Sequence, residues 1–73
     1  MYGQRIKELR EERGLSQAAL GELMHCGQRT ISRYELEEHD LGTATLIALC
    51  HIFEVSADYI LGLEDETGAK QYR

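Results

Sequence analysis

The sequence contains no proline, so no helix is broken from that source, and with strong helix formers throughout nothing in the composition favours strands. Cysteine is scarce. Cys26 and Cys50 form no CxxC pair and follow no signal-like apolar N-terminus, which argues against a disulfide-stapled secreted domain and for the cytoplasm. Long apolar runs are missing too, and no stretch approaches the length needed to cross a bilayer, so no membrane partner is expected. Positive charge is also in short supply, with a formal net charge of -5 at pH 7. That balance disfavours non-specific attraction to a polyanion unless the bases are segregated.

They are partly segregated. Residues 1–36 carry six Lys or Arg against five Asp or Glu, a balance of +1, whereas residues 37–73 carry two against eight, a balance of -6. A basic face in the first half therefore remains open. The whole length of 73 residues suits a single small domain, which on folding hides only about 60% of its unfolded surface.

Apolar spacing divides the chain into five short helices, an all-α arrangement. The first is expected over about Tyr2 to Arg13, with Tyr2, Ile6 and Leu9 on one stripe, Arg10 beside it, and Gly14 supplying a left-handed end. Ser16 caps the second, which ends near Met24; the third begins after Gly27. Residues 36–42 show no period and read as a loop. Gly42 or Thr43 opens the fourth helix, where Leu46, Leu49, Cys50 and Phe53 share a stripe that excludes Ile47 and His51. Ser56 caps a fifth that carries Tyr59, Ile60 and Leu61 and stops at Gly62. Residues 1–63 thus form the expected domain and 64–73 a frayed polar, acidic tail.

The second and third helices carry the most information. A cap at Ser16, small Gly21, a turn at His25, Cys26 and Gly27, and apolar Leu20, Leu23, Met24, Cys26, Ile31 and Tyr34 are what two helices packed at a steep angle require. On the third helix, Gln28, Arg29, Ser32 and Arg33 share one arc and Ile31, Tyr34 and Glu35 the other. The outward set suits a major groove, because Gln pairs bidentately with adenine, Arg with guanine, and Ser with donor or acceptor edges. Gln17 opens a helix, where free N–H groups and a side-chain amide suit a phosphate oxygen.

Residues 5–62 resemble the phage-repressor or Xre-like helix-turn-helix family, including lambda- and Cro-type repressor domains. The resemblance is carried by Arg5-Ile-Lys-Glu-Leu-Arg-Glu-Glu-Arg-Gly-Leu-Ser-Gln17, Leu20, Ile31-Ser-Arg-Tyr-Glu35 and Val55-Ser-Ala-Asp-Tyr-Ile-Leu-Gly62. It implies a compact five-helix domain that binds a double-stranded operator, as a homodimer, with the third helix in the major groove. It further implies that Gln28, Arg29 and Arg33 meet bases or adjoining backbone, and that Gln17 meets phosphate. Arg10 and Glu35 match positions of an internal ion pair, a placement the helical wheel supports separately.

Two departures stand out. His25 occupies a turn position usually given to glycine, and histidine tolerates the left-handed region better than most residues do. The loop after the third helix holds Glu37, Glu38, His39 and Asp40 in place of the usual Gly, basic residue and proline. In the family's docking geometry these carboxylates lie near phosphates, so replacing Glu37 and Glu38 by Lys is expected to tighten DNA binding. Residues 37–40 also motivate a second reading, an antitoxin-like or phage-regulatory module that recognises a protein partner and holds DNA weakly.

Other chemistries find little support. His25-Cys26 and Cys50-His51 do not form a metal site by helical geometry, and both cysteines fall at packing positions. No nucleophile and base converge, so neither an enzyme nor a cofactor is expected. Ile47, Ile52 and residues 55–57, apolar groups off the main stripe, are the candidates for a dimer surface or else complete the core.

Overall fold

A computed structural model describes residues 1–65. Its regular elements are five α-helices: α1 Tyr2–Glu12, α2 Gln17–Leu23, α3 Gln28–Glu35, α4 Thr43–Phe53 and α5 Ala57–Ile60. Of the tail expected over 64–73, the part from residue 66 onward lies outside the described residues. Among the described residues no helix is long and apolar enough to cross a membrane.

The core is one cluster of Ile6, Leu9, Leu20, Ile31, Leu49, Phe53 and Ile60, so every helix contributes to it. Each of these sits on the stripe that helical spacing assigned, because a short helix with an apolar stripe is stable only against another such stripe. On α4, Leu49 and Phe53 point inward while Ile47 is 52% exposed. Ile52 and Val55 are half-buried and pack against the core cluster. Leu23, expected in the α2–α3 contact, is 53% exposed and is the last residue of α2.

Helix ends follow one scheme. Ser16 and Ser56 accept from the backbone N–H groups of Ala19 and Tyr59, each at 3.0 Å, satisfying donors that have no partner within the helix. At the other end of α1, Gly14 takes φ 66°, and Leu15 N–H returns to Arg10 C=O at 3.0 Å. The same closure recurs after α2, with His25 at φ 58° and Cys26 N–H bonded to Gly21 C=O at 2.8 Å. It appears a third time after α3, where Glu37 has φ 59° and Glu38 N–H reaches Arg33 C=O at 2.8 Å.

Three arginines of the first half act inside the fold. Arg5 stacks its guanidinium 4.1 Å from the centre of the Tyr59 ring, joining α1 to α5. Arg13 donates to the carbonyls of Ile52 and Phe53 at 3.4 and 2.7 Å, closing the end of α4. Arg10 serves α3, as described next.

Candidate nucleic-acid interface

Two helices and the four residues between them, Met24 to Gly27, make the site. Gly21 lets them close, since a Cβ there would stand 2.7 Å from the carbonyl oxygen of Cys26, nearer than carbon and oxygen tolerate. Burial pushes the Cys26 thiol above its ordinary range, so the turn cysteine is a packing group and a poor nucleophile. Among the described residues no three His, Cys, Asp or Glu side chains group to hold a metal.

Behind α3 lies a polar strut. Arg10 Nε donates to Glu35 Oε2 at 2.6 Å and Nη2 to Oε1 at 3.2 Å, while Nη1 reaches Leu15 C=O at 2.8 Å. Both side chains are nearly covered, at 11% and 5% exposure. The hydrogen bonds to Glu35 raise the Arg10 pKa further above its already high value, so the guanidinium keeps its charge at any working pH. This fixes α3 to α1 by a forked pair that lysine could not reproduce.

The strut continues to the surface. Gln17 Nε2 donates to Glu35 Oε1 at 3.1 Å, and Gln28 Nε2 donates to Gln17 Oε1 at 3.4 Å. Because a carboxylate only accepts, Glu35 dictates which way the Gln17 amide faces. Gln17 in turn orients Gln28. Helical spacing had assigned Gln17 to phosphate alone and could not show this relay, which needs the distance between the starts of α2 and α3.

Gln17, Gln28, Arg29 and Ser32 line one shallow concavity. Gln28 and Arg29 are exposed and Ser32 half-buried, while Ile31 on the opposite side is fully buried. Among the described residues Arg29 has no ion-pair or hydrogen-bond partner. Arg33 stands apart from this group: its Nη1 lies 3.2 Å from His39 Nε2 in the loop after α3.

The loop itself corrects the sequence expectation. Glu37 does not face outward with its neighbours; its Oε2 accepts from the backbone N–H of Gly3 at 3.2 Å, at the first turn of α1. A carboxylate is favoured there by the unpaired N–H groups and the positive dipole end. Gly3 is what allows the approach, since a Cβ at that position would meet the Glu35 carbonyl oxygen at 2.2 Å. Tyr2 reinforces the contact by donating its hydroxyl to His39 C=O at 2.6 Å. The outward acidic groups of the loop are therefore Glu38 and Asp40, and Glu37 belongs to the fold.

Comparison with known proteins agrees with this geometry. A family model described as a helix-turn-helix domain matches residues 3–66. The HTH-type transcriptional regulator ImmR of Bacillus subtilis is 38% identical over 68 residues, covering 93% of this chain; the chain spans 53% of that regulator's length. Among solved structures, the P22 c2 repressor in complex with a synthetic operator superposes with a TM-score of 0.77 at 32% identity, covering 82% of this chain and 91% of that one. The biofilm regulator SinR in complex with DNA gives a TM-score of 0.75 at 29% identity over 84% of this chain and 98% of its own. With five helices, a tight α2–α3 turn and a match over nearly its whole length, the chain belongs to the helix-turn-helix domain family, in its lambda-repressor-like form.

Proposed function

We propose that this chain is a sequence-specific DNA-binding transcriptional regulator, a repressor in its simplest form, that lays α3 in the major groove. The supporting observation is the concavity of Gln17, Gln28, Arg29 and Ser32, backed by the Arg10–Glu35 strut that keeps α3 from rolling. Solved relatives of this fold are described in complex with operator or DNA. In this reading Gln28 pairs with an adenine edge, Arg29 with guanine, and Ser32 with a neighbouring base, while Arg33 serves base or backbone at the end of the helix. Gln17 buttresses Gln28 and offers its backbone N–H to a phosphate.

Residues 1–63 act as the DNA-binding unit in the cytoplasm, and two copies occupy half-sites about 10 base pairs apart. Ile47 is the exposed apolar side chain on α4 suited to the contact between copies. Selection of bound duplexes from a random pool tests the proposal. A recurring motif with two related halves is expected; failure to enrich any sequence would remove it.

A further inference from the structure

Arg33 is exposed, but its guanidinium has a partner in the loop. A guanidinium can only donate, so the 3.2 Å contact between Arg33 Nη1 and His39 Nε2 is a hydrogen bond only in the tautomer whose Nε2 is unprotonated and whose ring proton is on Nδ1. Two aromatic residues hold His39 in place. The Tyr34 ring meets the imidazole edge-on at 6.3 Å between centroids, and the Tyr2 hydroxyl bonds the His39 carbonyl at 2.6 Å. The titratable and charged groups around it are Arg33 and Tyr34 from α3, Tyr2 from α1, and Glu37, Glu38 and Asp40 within the loop. Protonation of the ring removes the acceptor and sets two cations where a hydrogen bond stood.

The geometry points to His39 as a proton-linked positioning residue for Arg33: neutral His39 holds the guanidinium against the loop, and protonated His39 releases it toward DNA. This rests on the DNA-binding function proposed above. Because DNA engages the Arg33 guanidinium only when its contact with His39 is broken, binding favours the protonated ring and affinity rises as pH falls through the histidine range.

The test measures affinity for a duplex enriched from random DNA at fixed salt, from about pH 8 to about pH 6. Wild type should tighten by up to about tenfold, the worth of the one hydrogen bond that no longer competes. His39→Gln, whose amide oxygen accepts from Arg33 at every pH, should stay flat at the weaker value, and His39→Lys flat at the tighter one. His25→Gln and His51→Gln should keep the rise, and Arg33→Ala should lose most of it. A flat wild type, or an equal rise in His39→Gln or Arg33→Ala, overturns the inference. A chain that binds no duplex at any pH overturns the DNA-binding function itself.

Discussion

Arg10 shows how much one side chain can hold when all its donors are used. It gives two hydrogen bonds to Glu35 and one to the Leu15 carbonyl, and removing it leaves a nearly covered carboxylate without a cation. Arg10→Ala should therefore cost about 3 kcal/mol, the low end for truncating one member of a buried pair, as measured by urea unfolding. Replacing both Arg10 and Glu35 by apolar residues of similar size should cost less than either single change. Gly3 makes the opposite demand, for absence of a side chain. The 2.2 Å approach of a Cβ to the Glu35 carbonyl means that Gly3→Ala must push α1 from α3 and break the Glu37 contact, lowering stability by about 1–3 kcal/mol despite alanine's better helix propensity. The Arg10–Glu35 pairing was legible because each residue sits at the edge of its apolar stripe, visible on a wheel. The need for Gly3 was not, because a clash between distant backbones leaves no periodic trace.

The helices were legible from their apolar spacing and serine caps, and their C-terminal ends only in part. Gly14 and Gly62 announce left-handed turns, and His25, at φ 58°, stands where the resemblance expects a glycine; Glu37 and Glu54, at φ 59° and 56°, give no such sign, since nothing about a glutamate signals that conformation. Its steric cost of about 1–2 kcal/mol, less glycine's added chain entropy of about 0.5–1 kcal/mol, leaves roughly 0.5–1 kcal/mol to gain. Glu54→Gly should stabilise the protein by that amount in thermal or urea unfolding. Glu37 is different because its carboxylate is in use. The sequence presents Glu37 and Glu38 as equivalent neighbours, but Glu37 turns in to the backbone of Gly3 while Glu38 stays exposed. Accordingly Glu38→Lys should tighten DNA binding with stability unchanged, whereas Glu37→Lys should lower the unfolding midpoint. Equal effects of the two substitutions on both quantities would contradict this division.

For the whole molecule, the charge pattern changes meaning once the fold is known. The +1 balance of residues 1–36 suggested a basic face, yet Arg5, Arg10 and Arg13 are tied to Tyr59, Glu35 and the end of α4. Few cations remain to attract phosphates generally. With a net charge of -5, the proposed recognition rests on directed contacts from α3, since sequence-independent attraction grows with the number of phosphates neutralised. The outward set was readable from helical rotation, but the separation of Arg33 from Gln28, Arg29 and Ser32 depends on a loop whose path no local spacing determines. The central claim is that α3 reads bases, and the most direct test compares wild type with the Gln28→Ala, Arg29→Ala double variant on a selected duplex and on its scrambled counterpart. Two lost bidentate contacts at about 1–3 kcal/mol each predict at least about a thirtyfold loss on the selected duplex and little change on the scrambled one. Equal losses on both duplexes, or none on either, would contradict base reading by α3.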